Sequence, residues 1–302
     1  MIIAFMSRVP KLVVFSSVLA IVATLLFVIN DATIKYLSLK NIKFYHFIFY
    51  GIPAYLAVPF YLLISGKFKI KMRATNYWIP LSRGLIFVPM PFLSFWALKY
   101  VSLAEFTTLT MSAPIFSLIF SVFILKERPN LFLFLSLLFG VLGVLMVMKP
   151  GFDNFNIFFL VVLLNALLIS LTTLLVNKFN DLTSPEGYFV YGGIFVHMFA
   201  AILFIFDPKM FEFKTIILMV FASLVVNVAI FLLVLAFQKA QNFYGSISCL
   251  NYVQIFWSVI ISVAVFGQVL DYISTFGALL IVCSGLLSLP AQSKQISQSN
   301  SG

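Results

Sequence analysis

The sequence predicts an all-α membrane protein whose ten transmembrane helices form two inverted five-helix repeats. Three observations predict this fold: an apolar composition, apolar stretches of about twenty residues, and an internal repeat. Of the 302 residues, 63% are hydrophobic and only 9% are charged, whereas a soluble domain carries about 25% charged residues. Each apolar stretch matches the roughly twenty residues that a helix needs to cross a hydrocarbon core of about 30 Å.

The second half of the chain repeats the first. Residues 47–51 (FIFYG) match residues 188–192 (YFVYG), and at the same offset Ile115-Phe116-Ser117 matches Phe256-Trp257-Ser258. Because five spans are an odd number, the second copy enters the membrane upside down relative to the first. This arrangement is common in secondary transporters, whose substrate site lies near the middle of the bilayer between the halves.

The spans divide the chain into five regions. Residues 1–11 form an N-terminal segment, 12–148 the first repeat, 149–155 a connecting loop, 156–289 the second repeat, and 290–302 a polar tail predicted to be disordered. All spans are predicted as helices because lipid offers no water to satisfy free backbone groups. The predicted spans are 12–37, 44–65, 77–98, 102–125, 131–148, 156–177, 186–206, 214–237, 243–266 and 271–289.

The positions of the basic residues predict the orientation of the chain in the membrane and argue against nucleic acid as a partner. The net charge of +10 comes from short segments between apolar stretches, above all the loop 66–76. Lys and Arg concentrate in cytoplasmic loops, so both termini are expected in the cytoplasm and the protein in the inner membrane. The basic residues form no continuous stripe with aromatic residues, and nucleic acid is therefore not expected as a partner. The N-terminal apolar stretch is interpreted as a retained first span.

Asp31 and Lys35 are candidate functional groups in the first span, because charges inside a bilayer are rare unless they face a cavity or a partner. They are four residues apart and therefore on one helix face. One interpretation is a cavity-lining pair that binds substrate or exchanges a proton. In the other, Lys35 extends to the outer surface and Asp31 only pairs with it.

Arg83 and His197 are the candidates in the third and seventh spans. A guanidinium two turns into a span suits a carboxylate or phosphate, but it also suits headgroups or helix carbonyls. An imidazole near the middle of a span suits proton relay or ligand binding, but also a hydrogen bond between helices. Uncharged polar side chains in other spans are further candidates for substrate contact or for holding helices together: Asn165, Asn227, Asn251, Tyr252 and Gln254.

Prolines are expected to bend the helices of the first half. Each lacks an N–H and frees a carbonyl one turn earlier. Pro89 and Pro91 stand two residues apart in the third span, and we expect them to distort it as structural or gating positions.

The motifs in their order resemble the drug/metabolite transporter superfamily, and specifically its EamA-type members. The resemblance covers roughly residues 12–290. It rests on NDATIKYL at 30–37, Arg83, FWALKYVSLAE at 95–105, APIF at 113–116, LKER at 125–128 and GVLGV at 140–144, with a partial return at 252–257 and 266–268.

The resemblance implies a central cavity lined mainly by spans 1, 3, 4, 6, 8 and 9. It implies that Asp31, Arg83 and the region of Pro114 face or shape that cavity, and that Glu127 caps or anchors a helix. Gln268 stands where the family pattern has a glutamate in the second half. A symmetric role for the two positions is therefore in question.

The expected activity is secondary-active transport of a small polar metabolite by alternating access. An amino acid or a derivative such as S-adenosylmethionine is favoured, since one cation and one anion suit a zwitterion. Alternatives are a nucleotide-like cofactor, a vitamin or a drug, and more remotely a membrane-embedded enzyme. The expected partners are the bilayer and the metabolite, with protons as a candidate coupling ion. No cofactor or metal is expected, and both monomer and homodimer remain open.

Overall fold

The computed structural model describes residues 11–113, 115–116, 119–120, 131–149, 155–179, 182–240 and 250–299, and these are helical almost throughout. In the first half the helices are α1 (Lys11–Leu39), α2 (Phe44–Tyr50), α3 (Ile52–Ile64), α4 (Phe68–Lys71), α5 (Trp78–Phe87), α6 (Pro89–Tyr100), α7 (Leu103–Thr110) and α8 (Leu131–Met148). In the second half they are α9 (Phe158–Lys178), α10 (Pro185–Phe206), α11 (Phe213–Ala240), α12 (Val253–Phe266) and α13 (Tyr272–Ser299), with a 3₁₀ turn at Leu250–Tyr252.

Six of the described segments are long and apolar enough to cross a membrane. They are Val14–Leu39, Phe44–Ile64, Trp78–Tyr100, Phe158–Val176, Pro185–Phe206 and Phe213–Leu233. Shorter apolar helices cover Leu137–Met148, Leu250–Phe266 and Tyr272–Ser284. Length and composition of these helices are those of a multi-pass membrane protein.

The second, third and last spans differ from the prediction, and α7 already ends at Thr110 within the predicted fourth span. The second span divides into α2 and α3 at Gly51, and the third into α5 and α6 at Val88, where Pro89 cannot donate to the preceding turn. The last helix continues to Ser299, into the segment predicted to be disordered. Residues 290–299 contain one proline and no glycine, and nothing after that proline breaks a helix.

A buried apolar cluster fills one end of the helix bundle. It contains Leu37 at the end of α1, Leu98 near the end of α6, Leu103 at the start of α7, Val147 at the end of α8 and Phe159 at the start of α9. Each of these side chains is at most 4% exposed. Because the five helices begin or end here, this cluster closes one end of the bundle, which we call the sealed end.

The second and seventh spans lie antiparallel and contact each other at both ends. At the sealed end, Lys43 donates to Asp207 at 2.8 Å and Tyr50 donates to the carbonyl of Lys209 at 2.9 Å. At the opposite end, Thr183 donates to the carbonyl of Arg73 at 3.0 Å. The start of each span therefore meets the segment that follows the other.

Small residues allow α8 and α13 to pack closely. A Cβ built on Gly143 would lie 2.7 Å from the carbonyl oxygen of Gly277, and a Cβ built on Gly277 would lie 2.7 Å from that of Gly143. Only glycine leaves room for this approach of two backbones, as is common between membrane helices.

Candidate functional site

A cavity of about 400 Å³ opens at the end of the bundle opposite the sealed end. It lies between α5, the end of α9, the start of α10 and α11. Its wall is mostly apolar and aromatic, and its only charged side chain among the described residues is Arg83. The lining residues include Arg83, Phe87, Thr183, Tyr188, Phe189 and Gly192.

Arg83 is held against α10 and keeps part of its guanidinium free. Nη1 donates to the carbonyl of Tyr188 at 3.0 Å, and the Cζ atom lies 4.7 Å from the centre of the Phe87 ring. Nε is buried, and no described residue accepts a hydrogen bond from it. A Cβ built on Gly192 would lie 2.7 Å from Nη1, so glycine at this position makes room for the guanidinium.

Within the described parts of the chain, no carboxylate lies within 4.0 Å of Arg83. A buried cation without an opposite charge is costly unless a ligand or water compensates for its lost hydration. The arrangement can therefore bind an acceptor group through guanidinium donors that no described residue uses.

Asp31 lies in a different part of the bundle. Its half-buried carboxylate accepts a hydrogen bond from the amide of Asn30 at 3.5 Å. No basic side chain of the described segments lies within 4.0 Å of it. The Oδ1 atom of Asn30 is buried and has no described partner either. Asn30 and Asp31 together offer acceptors to a cation or a donor.

Lys35 forms neither of the contacts considered from the sequence. It is 1% exposed, so it does not extend to the surface. Its ammonium donates to the carbonyls of Leu98 at 3.0 Å and Val101 at 2.5 Å, at the end of α6. The last carbonyls of a helix lack partners within the helix and attract a cation. Lys35 therefore joins α1 to α6 at the sealed end.

The contact of Lys35 also separates Asp31 from Arg83. Lys35 is level with Leu98, and Arg83 precedes Leu98 by fifteen residues on the same span. At about 1.5 Å per residue, and with Asp31 one turn below Lys35, Asp31 and Arg83 lie roughly 15 Å apart along the bundle. A free amino acid cannot contact both at once, which weakens the zwitterion argument made from the sequence.

His197 has one partner in its own helix and one on a neighbouring helix. Nδ1 lies 2.7 Å from the carbonyl of Gly193 in the same helix. Its ring stacks on Tyr55 of α3 with centroids 4.0 Å apart, and Tyr55 donates to the carbonyl of Val190 at 2.6 Å. His197 therefore packs α10 against α3 beside the cavity, and it is not one of the cavity's lining residues.

The uncharged polar candidates fall into two groups. Asn165 donates to the hydroxyl of Ser94 at 3.0 Å, and Asn227 donates to the carbonyl of Ala54 at 3.1 Å, so both join helices. Asn251, Tyr252 and Gln254 lie in the 3₁₀ turn and at the start of α12. Of these, Asn251 has a buried Oδ1 atom without a described partner, and Gln254 is 8% exposed.

The remaining predicted positions are prolines and one glutamate. Pro89 and Pro91 stand at the start of α6, just after the interruption of the third span. Pro114 and Glu127 lie outside the described residues. Their predicted roles stay predictions.

Asp207 is the centre of a contact that sequence reasoning did not identify. The Lys43 ammonium, helped by the Tyr45 hydroxyl, lowers the pKa of the Asp207 carboxyl to about 2. The ring of His46 lies 3.0 Å from the Asp207 carbonyl oxygen. In the sequence, Asp207-Pro208 is visible only as the end of a span. For the cavity, the sequence did contain a signal. The repeat motif at 188–192 includes three residues that line it, Tyr188, Phe189 and Gly192.

Comparison with known proteins agrees with this architecture. Residues 14–149 match the EamA-like transporter family. A crystal structure shares the fold with a TM-score of 0.60 at 16% sequence identity, covering 90% of this chain and 96% of the other.

Two relatives are similar over much of their length. The chain is 25% identical over 280 residues to the S-adenosylmethionine uptake transporter of Rickettsia bellii, covering 89% of this chain and 91% of the relative. It is 24% identical over 214 residues to an uncharacterized transporter of Helicobacter pylori strain J99, covering 67% of this chain and 70% of the relative.

Proposed function

We propose that this chain, whose residues 14–149 match the EamA-like transporter family, is a secondary-active transporter of small polar metabolites from the EamA-type branch of the drug/metabolite transporter superfamily. It works by alternating access between two inverted five-helix repeats, residues 12–148 and 156–289, joined by the loop 149–155. Its place is the inner membrane, with both termini in the cytoplasm. The family and the names of the relatives point to a transporter and not to an enzyme.

The observation that carries this proposal is a pair of glycine contacts that relates the two halves. Gly51 of the second span packs against Ser223 of the eighth, and Gly192 of the seventh packs against Arg83 of the third. Gly192 follows Gly51 by 141 residues, and Ser223 follows Arg83 by 140. Equivalent helices therefore make equivalent contacts, as a two-fold relation between inverted repeats requires.

The two ends of the bundle support a state that is open on one side. The apolar cluster around Leu37, Leu98 and Leu103 closes the sealed end, while the cavity beside Arg83 lies at the other. With the basic loop 66–76 in the cytoplasm, the sealed end faces outward and the cavity faces the cytoplasm. Transport then requires the apolar cluster to separate in the outward-open state.

The favoured cargo is an amino acid or a derivative such as S-adenosylmethionine. Relatives of that name align along about nine-tenths of this chain. S-adenosylmethionine carries an ammonium and a sulfonium, and Asp31 offers a carboxylate without a described basic partner. Protons that bind Asp31 are the proposed coupling ion. A nucleotide-like cofactor, a vitamin or a drug is the alternative cargo.

Counterflow in proteoliposomes tests the function. Vesicles loaded with unlabelled S-adenosylmethionine should accumulate the radiolabelled compound above protein-free vesicles, and unlabelled amino acids, nucleosides and vitamins should compete in order of affinity. If no compound of this panel is exchanged, the proposal is wrong. Exchange of a nucleoside or vitamin alone would support the alternative cargo.

The role of Asp31 is tested separately. Asp31→Asn should abolish transport or its dependence on pH, whereas Glu212→Gln, which removes an exposed carboxylate between the seventh and eighth spans, should leave both unchanged. Transport by Asp31→Asn with the wild-type pH profile would remove Asp31 from the mechanism.

Labelling of single cysteines tests the orientation. Cysteines at Asn76 and Lys294 should both react from the cytoplasmic side of cells with a reagent that does not cross membranes. Labelling from opposite sides would contradict the topology.

A further inference from the structure

We propose that the cavity beside Arg83 binds a singly charged carboxylate whose apolar or aromatic body packs against Phe87 and Phe189. This site is distinct from Asp31, which lies roughly 15 Å further along the bundle. As a statement about cargo the inference rests on the proposed function. As a statement about binding it rests on the cavity alone.

The charge of the cavity favours an anion. Arg83 is its only charged lining residue among those described. No described carboxylate lies within 4.0 Å of the guanidinium. An anionic ligand would therefore supply the opposite charge that no described residue supplies within this distance.

The free edge of the guanidinium favours a carboxylate. Nη1 donates one hydrogen bond to the Tyr188 carbonyl and keeps a second N–H, and Nη2 donates to no described residue. Nε is buried and does not face the cavity. The N–H groups of Nη1 and Nη2 lie at the end of the planar fork, where a carboxylate can accept from both nitrogens at once. A lysine in this position would offer a charge without the paired geometry.

The other donors of the wall favour a single negative charge over a phosphate. The hydroxyl of Thr183 donates to the Arg73 carbonyl at 3.0 Å, and that of Tyr188 donates to the Phe179 carbonyl. Neither is free to bind further oxygens. A phosphate carries up to two charges and three acceptor oxygens, which is more than one half-used guanidinium can satisfy.

The rest of the wall favours an apolar body. Phe87 and Phe189 contribute aromatic rings, and Val176, Val196 and Ile230 contribute aliphatic surface. A volume of about 400 Å³ lies within the range of small-molecule sites. A small aromatic acid therefore fits better than a fully polar one.

Binding to the purified full-length protein in a zwitterionic detergent tests the proposal. The probe is 3-phenylpropionate, and the matched uncharged probe is 3-phenylpropionamide. The carboxylate should raise the thermal unfolding midpoint as its concentration exceeds its dissociation constant, and the amide should not. If neither compound shifts the midpoint, or both shift it equally, the proposal is wrong.

Substitutions locate the site. Arg83→Gln should weaken 3-phenylpropionate binding at least tenfold, since hydrogen bonds to charged groups contribute about 1.5–3 kcal/mol. Arg83→Lys should restore only part of the affinity. Arg73→Gln removes an exposed arginine of the neighbouring loop and should bind like the wild type. Equal binding by Arg83→Gln and the wild type would overturn the inference.

Two further measurements deal with a variant that does not fold and with binding of a lipid headgroup. If Arg83→Gln does not fold, Gly192→Ala serves instead, because its methyl group would displace the guanidinium and should lower the affinity for 3-phenylpropionate. Phosphatidylglycerol is compared with phosphatidylcholine in the same assay. A shift with phosphatidylglycerol and none with 3-phenylpropionate would assign the cavity to a lipid headgroup and overturn the proposal. Carboxylate binding with no transport activity would count against the proposed function and leave this site intact.

Discussion

Gly143→Ala should destabilise the packing of α8 on α13. The added Cβ would lie 2.7 Å from the Gly277 carbonyl oxygen and 2.8 Å from Cγ1 of Ile281. A backbone oxygen cannot rotate away, so the two helices must move apart by about 0.7 Å to reach the 3.4 Å at which ordinary contact begins.

The size of the effect follows from two opposing contributions. Overpacking in a close-packed region costs about 1–3 kcal/mol. Replacing glycine with alanine inside a helix returns up to about 1 kcal/mol through helix propensity. We therefore expect Gly143→Ala to lower the free energy of unfolding by about 1–2 kcal/mol. Gly277→Ala should do the same, since its Cβ meets the Gly143 carbonyl at the same distance.

The double variant makes the test specific to this contact. Once the first methyl group has separated the helices, the second costs less, so the double variant should lose less stability than the two single variants together. Thermal unfolding in detergent measures all three. Val141→Ile adds one carbon on the exposed face of the same helix and should change nothing. Wild-type stability in Gly143→Ala, or strictly additive losses, would refute the close approach of these helices.

Three further predictions concern the sealed end. Lys35→Met should lower stability by about 2 kcal/mol in denaturation assays, because two buried carbonyls lose a charged donor, and a more stable variant would contradict this role. Asp207→Asn should lower the unfolding midpoint at every pH above about 4. The Asp207 pKa is lowered to about 2, so the stabilising effect of its charge is present above the unfolded value of about 4. The difference from wild type should vanish as the pH falls from 4 to 2, and a difference that persists at pH 2 would contradict this explanation. Ser102→Ala should cost about 1 kcal/mol, because Ser102 and Glu105 cap the start of α7 reciprocally, and an unchanged midpoint would count against that cap.

Much of the helical arrangement is predictable from local sequence. Apolar length identifies the six described segments that are long enough to cross a membrane, and Pro89 identifies the interruption at Val88. The end of the last helix was not predictable, because a polar composition after Pro290 is equally typical of a solvated helix and of a disordered tail. The composition of a segment indicates whether it can enter lipid, but it does not determine the conformation of its backbone.

The candidate site was predictable at single positions but not as a set. Arg83 stands out because a charge in a span is rare. Phe87 and Phe189 do not, because they are two of thirty-seven phenylalanines. Lys35 was misjudged for a different reason. Its partners are main-chain carbonyls of Leu98 and Val101, and any residue type carries a carbonyl, so no side-chain pattern could reveal them.

The hydrogen bonds of the loop after the second span have a consequence for biogenesis. The carbonyls of Lys71, Met72 and Arg73 accept from Ser184, Tyr191 and Thr183, which are 113, 119 and 110 residues later in the chain. Until the ribosome has delivered the seventh span to the bilayer, this loop must rely on water for the same acceptors. The loop of the first half therefore forms its final hydrogen bonds only after the second half has begun to insert. A chain truncated between the two halves would leave these carbonyls without their protein donors.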